Sequence, residues 1–195
     1  MGIKIKQIET HWNDLISIEK DLEAVSRFVE LHQDNFQCFS IEIYRLLMAA
    51  AAEVDVVCKQ ICRKIDTKSK ARSINKYQEE IVNAHNAIPG FRVIMPRYGI
   101  TLQPWYNWGV KKSNPPLWWT AYNKIKHQRH THYHRGNLKN ALNAVAGLFV
   151  MVLYLYRDKA RLGELVPALK LLQVTEDHFN GQTMGAYEMG INFRI

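Results

Sequence analysis

Two runs of apolar residues at three- and four-residue steps constrain this chain more than anything else in it. In the first, about 40–65, Ile43, Leu47, Ala50, Val54, Val57, Ile61 and Ile65 fall on one stripe of a helix. In the second, about 138–157, Leu138, Ala141, Leu142, Val145, Leu148, Phe149, Val152 and Leu153 do the same. Ser40 and Asn137 stand where N-caps are wanted, because their short side chains can accept from the first free backbone N–H groups. The longest apolar stretch, Ala144 to Tyr156, is short of the roughly 20 residues that cross a bilayer. A buried core helix is the expectation there, with no membrane partner.

Weaker periodicity surrounds these two. Leu15, Ile18, Leu22, Val25 and Val29 predict a helix over about 11–32, and Ile74, Tyr77, Ile81 and Ile88 a shorter one ended by Pro89-Gly90. Residues 91–116 change texture: Phe91 to Met95 and Ile100 to Gln103 are β-prone and flank Pro96-Arg97-Tyr98-Gly99, so a hairpin and loop are expected. Trp105, Tyr106 and Trp108 in that segment can either pack on the helical body or stack on bases. Trp118, Trp119, Tyr122 and Ile125 open a helix from Leu117 that Gly136 stops. Over 160–172 Pro167 allows helix only in pieces, and the tail 175–195, with Gly181, Gly185 and Gly190, reads as irregular with at most a short final strand. The expected fold class is therefore all-α, one domain over 1–195, with core helices in about 11–88 and 117–172 and a small β-hairpin/loop insertion at 91–116.

With 195 residues and a hydrophobic fraction of 47 %, the chain can build a sizeable core. Its net charge of +8, from 26 Lys+Arg against 18 Asp+Glu, favours a polyanionic partner such as RNA. Cys38, Cys58 and Cys62 are an odd set that suits free thiols in a reducing, cytoplasmic setting. The start, Met1 to Lys6, lacks the apolar core of a signal peptide, and Lys6 breaks the myristoylation pattern. Glu53 and Asp55 fall on opposite flanks of the 40–65 stripe, where carboxylates usually pair with bases on neighbouring helices.

Chemistry concentrates between Asn123 and Asn140. Four of the eight histidines, His127, His130, His132 and His134, lie here among Lys124, Lys126, Arg129, Arg135 and Lys139. On an ideal helix Arg129 and Tyr133 continue the buried direction of Trp118, Tyr122 and Ile125, so Arg129 needs a carboxylate, a second subunit or a phosphate. Glu53 or Asp55 is the plain choice of carboxylate. His134 points about 140° from Arg129 on that helix, and the two can meet on one phosphate only if the helix ends or bends between them.

The string Arg129-His130-Thr131-His132-Tyr133-His134 resembles the R-x(4–6)-H signature of the HEPN superfamily. Tyr122 to Arg129, followed by a Leu/Ala-rich helix, is similar to the terminal helix pair of HEPN-like bacterial proteins. The resemblance covers about 117–157 and more loosely 40–88. It implies a HEPN-like helical bundle that dimerises, and metal-independent RNA cleavage in which a 2′-hydroxyl attacks the adjacent phosphate without a cofactor. Carried over, His134 is the general acid/base, Arg129 steadies the phosphoryl oxygens and His130 orients the site. Lys126, Lys139, Asn123 and His127 hold the RNA backbone. A toxin or phage-defence setting with an inhibitory protein partner is compatible with this reading.

Three alternatives stay open. Asn123, Lys126, His127 and Arg129 can be the functional face, with His134 incidental. A non-catalytic dimeric RNA-binding or protein-interaction module needs the same basic surface and no chemistry. His127, His130 and His134, at i, i+3 and i+7, can hold a metal if Glu53 or Asp55 supplies a further ligand.

Overall fold

The computed structural model of the chain describes residues 8–184 and 189–195, so the readings of Met1 to Lys6 and of Gly185 lie outside it. Among the described residues it is mostly helical, with seven α-helices and two small antiparallel sheets. The helices are α1 (Thr10–Val25), α2 (Ile41–Ile65), α3 (Ile74–Ala84), α4 (Tyr106–Val110), α5 (Leu117–His132), α6 (Leu138–Leu155) and α7 (Arg157–Arg161). The strands are β1 (Val93–Met95), β2 (Ile100–Leu102), β3 (Gln173–Val174), β4 (Phe179–Met184) and β5 (Met189–Phe193).

The two strongest sequence runs become α2 and α6, and these pack chiefly against each other. Both expected caps form: Ser40 Oγ accepts from Ile43 N at 3.2 Å, and Asn137 Oδ1 accepts from Asn140 N at 3.1 Å. By length and composition α6 could cross a membrane, but 83 % of it is buried within the protein's own core. An apolar surface on every side leaves such a helix stable only when surrounded. Its neighbours are α1, α2, α5 and the hairpin strand β2.

The hairpin forms as expected, β1 pairing with β2 in the register Val93 to Leu102 around a turn whose Gly99 takes φ +62°. It is no mere insertion. Val93 also pairs with Val174 of β3, giving the order β2-β1-β3 and joining distant parts of the chain. Trp105 and Trp108 are buried, with Trp105 Nε1 donating to Gly147 O at 3.2 Å and Trp118 Nε1 to Pro104 O at 2.9 Å. Trp118 lies so close to Gly147 that a Cβ there would come within 3.0 Å of its ring. These tryptophans are core, and Tyr106 alone of the three aromatics offered for base stacking is exposed.

Three expectations need correction. Helix α1 stops at Val25 rather than near His32, because the chain tightens into three-residue turns (Arg27 N to Ala24 O, Phe28 N to Val25 O) before His32 caps a short turn through Nδ1. Between α6 and Pro167 the helix is a single short piece, Arg157–Arg161, in keeping with the expected interruption. The tail is not irregular: β4 and β5 form a hairpin pairing Phe179 with Phe193 and Met184 with Met189. The all-α description thus gives way to a mostly helical one with two small sheets.

The irregular segment after α7 is held by one carboxylate. Glu19 is 5 % exposed and accepts from the backbone N–H groups of Lys170, Leu171 and Leu172 at 3.0, 2.7 and 3.0 Å. Glu19→Ala leaves these donors without their acceptor. The expected loss is about 3 kcal/mol of unfolding free energy in urea, and a loss under about 1 kcal/mol would contradict this anchoring role.

Candidate active site at the turn between α5 and α6

The histidine-rich segment does not continue as one ideal helix. Gln128 has φ −142° and ψ 55°, which breaks the helical path one residue before Arg129. The last turn of α5 therefore swings outward, and Arg129 is exposed rather than directed along the buried face. After His132 the backbone tightens into a 3-10 turn over Tyr133–Arg135. The helix does end between Arg129 and His134, the condition under which those two residues could approach one phosphate.

What fixes this turn is the start of α6. Leu138 N donates to Cys38 O at 2.8 Å, Lys139 N to Phe36 O at 3.1 Å, and Asn137 Nδ2 to Gln37 Oε1 at 3.1 Å. Phe39 and Asn137 also form an isolated antiparallel bridge. Asn140 Nδ2 closes the turn by donating to Arg135 O at 2.9 Å. Gly136 is needed for closeness, not for a left-handed backbone: a Cβ there would lie 3.1 Å from Tyr44 Cβ. The N–H groups of Leu138, Lys139 and Asn140 are all occupied, so anion binding falls to the side chains.

Arg129, His130, Tyr133, Tyr44 and Ile41 line a surface cleft of about 570 Å³. The Arg129 guanidinium donates to Tyr44 Oη at 3.4 Å and lies 5.7 Å from the centre of that ring. It has no partner in Glu53, which meets His11, nor in Asp55, which meets Lys59 and Tyr77. The expected ion pair is therefore absent. Glu53 stands nine residues beyond Tyr44, about 14 Å further along α2.

The remaining site residues group differently. His134 stands beside His132, ring centres 6.5 Å apart. Lys126 lies over the Tyr122 ring at 5.6 Å, Asn123 is half-buried, and His127 and Lys139 are exposed. Arg135, half-buried next to these histidines, keeps a buried Nε with no protein acceptor. Among the described residues, none of Lys124, Lys126, Arg129, Arg135 or Lys139 enters an ion pair. Nor do His127, His130 and His134 bring three ligand atoms together; among the described residues one such group exists, and it lies elsewhere.

A segment-by-segment charge tally gives a signal that the whole-chain charge hides. Residues 81–157 hold ten Lys+Arg and no Asp or Glu. The rest of the chain holds sixteen basic and eighteen acidic residues, so the entire positive excess comes from this one segment. Desolvation first, then the fields of Arg135, Lys124, His134 and His130, hold the His132 imidazole below its ordinary value. No known protein family, curated protein or solved structure matches the chain.

The lowered His132 value fixes a pH dependence. The folded chain binds fewer protons than the unfolded one just below pH 6.5, so stability is lost as pH falls through that window. A polyanion reverses the penalty by favouring protonated imidazoles. Inorganic polyphosphate is expected to raise the melting temperature more at pH 6 than at pH 8; an equal shift at both would contradict an anion site built on these histidines.

Proposed function

We propose that the chain is an RNA-directed protein of HEPN type, acting as a metal-independent endoribonuclease of a toxin or defence system. The observation that carries this reading is the acid-free segment 81–157, whose exposed Arg129, His127, His130 and His134 stand at the end of α5 and in the turn that joins it to α6. A phosphodiester brings the negative charge that these unpaired groups lack.

In this mechanism His134 takes the proton of a 2′-hydroxyl as that oxygen attacks the neighbouring phosphorus. The 5′-oxygen leaves and takes up that proton from His134, which is thereby restored, giving a 2′,3′-cyclic phosphate end. Arg129 faces the phosphoryl oxygens, where its planar fork can donate twice. His130, in the same cleft, orients the phosphate. Lys126, Lys139, Asn123 and His127 carry the flanking backbone.

Phe39 and Ile41, 48 % and 66 % exposed, lie beside the Arg129 cleft. They suit a second copy of the chain, which would bring two motifs together. A non-catalytic RNA-binding or interaction module is the second reading. The position of His134 next to His132, outside the cleft that Arg129 and His130 share, favours it.

Incubation with mixed cellular RNA in EDTA separates the two. The expected result is cleavage leaving 2′,3′-cyclic phosphate ends, abolished by Arg129→Ala and by His134→Ala with fold and oligomeric state unchanged. Full activity in both variants would overturn the assignment, and loss with His127→Ala alone would move the site to Asn123, Lys126, His127 and Arg129.

A further inference from the structure

At the far end of the α1–α2 contact, away from the histidine turn, a basic protein gathers carboxylates around one imidazole. His11 and Asp14, at i and i+3, share a face of the first turn of α1. Glu53 and Gln60, seven residues apart, share a face of α2. Packing of the two helices brings the ligand atoms of His11, Asp14 and Glu53 within 4.8 Å of one another. His11 Nδ1 contacts Glu53 Oε1, and the Gln60 amide lies 2.6 Å from His11 Nε2. The His11 and Glu53 side chains are 12 % and 20 % exposed, while Asp14 is exposed and opens the cluster to solvent.

We infer that His11, Asp14 and Glu53 form a binding site for a divalent transition-metal ion of the zinc class, oriented by Gln60. An ordinary histidine–carboxylate pair uses one carboxylate, whereas two converge here on one ring. Among the described residues Asp14 enters no ion pair, and the neighbouring Glu9 is neutralised separately by Lys159. The partial positive charge at the start of α1, about half a unit, is outweighed by two full carboxylates. One nitrogen and two oxygens form a donor set that zinc accepts, leaving a fourth position for water.

The ion takes the place of the direct contact between His11 Nδ1 and Glu53. The ring keeps its Nε2–H, which donates to the Gln60 oxygen once that amide is turned toward it, the kind of support that fixes a metal-bound imidazole. Tetrahedral ligands on zinc stand about 3.4 Å apart. The three ligand atoms lie within 4.8 Å of one another and His11 Nδ1 touches Glu53 Oε1, so zinc coordination requires the Glu53 carboxylate to draw back from the ring as the ion enters. The site is independent of the ribonuclease reading, whose chemistry proceeds in EDTA.

The test is calorimetric titration of zinc alone into tag-free full-length chain. Because exposed histidines bind zinc adventitiously, the reference protein carries His127→Asn, His130→Asn, His132→Asn and His134→Asn. One equivalent is expected to bind it and raise its melting temperature. Asp14→Asn, at an exposed position, should weaken binding at least tenfold while leaving the metal-free melting temperature unchanged; Glu53→Gln should weaken it as much and lower the metal-free melting temperature through loss of the His11 pair, and Gln60→Ala should weaken it about tenfold. Should Glu53→Gln fail to fold, Asp14→Asn decides. No stoichiometric zinc in the reference protein, or unchanged affinity in Asp14→Asn, would overturn the site and leave an ordinary His11–Glu53 ion pair.

Discussion

The enclosure of α6 is the constraint on which the rest of this structure depends. An eighteen-residue helix whose buried residues run without a break from Ala144 to Leu155 has no face it can show to water. Such a segment folds only when other elements cover every side, and the chain supplies α2, α1, α5 and the hairpin strand β2. The tryptophans of the 91–116 region belong to this enclosure, and Gly147 exists at the one point where Trp118 presses too close for a side chain. Because α6 is fixed along its length, its first turn is fixed too. The backbone bonds from Leu138 and Lys139 to the Cys38 and Phe36 carbonyls carry that rigidity into the turn where the arginine and histidines stand.

Charge is the second constraint, and it acts through segregation. The acidic residues lie outside 81–157, and among the described residues no carboxylate pairs with Lys124, Lys126, Arg129, Arg135 or Lys139. Their mutual repulsion is a cost the folded chain bears at this turn, and an external polyanion removes it. The acidic residues are used elsewhere for structure: Glu19 holds three backbone amides, Asp55 meets Lys59 and Tyr77, and Glu53 meets His11. The two proposed sites, one for an anion near Tyr44 and one for a cation near Glu53, are separated by about 14 Å of α2.

Local signals are legible in the sequence wherever the physics is local. Ser40 and Asn137 cap as their side chains require, and the Pro96–Gly99 turn forms a hairpin as its residues demand. The break at Gln128 is not legible, since no Gly or Pro marks it, and projecting Arg129 onto a continuous helix gives it the wrong direction. The pairing of β1 with β3 joins residues about eighty positions apart and leaves no local trace. In β4 nearly every residue is exposed, so no alternation of apolar side chains announces a strand. His11 looks like an ordinary first-turn residue, because its meaning lies in Glu53 and Gln60 on another helix. The charge segregation can be read from the sequence, but only by counting within segments and not over the chain.

Whether the turn between α5 and α6 is built for a phosphate backbone is decided by the salt dependence of single-stranded RNA binding. Fluorescence anisotropy would follow it for the native chain and for the Lys126→Ala/Lys139→Ala double variant. Affinity is expected to fall linearly with salt on logarithmic axes. The double variant's slope should be shallower by about 1.4, at about 0.7 for each of the two phosphates it no longer neutralises. Identical slopes in the two proteins, or no binding at low salt, would contradict an RNA-directed site at this turn.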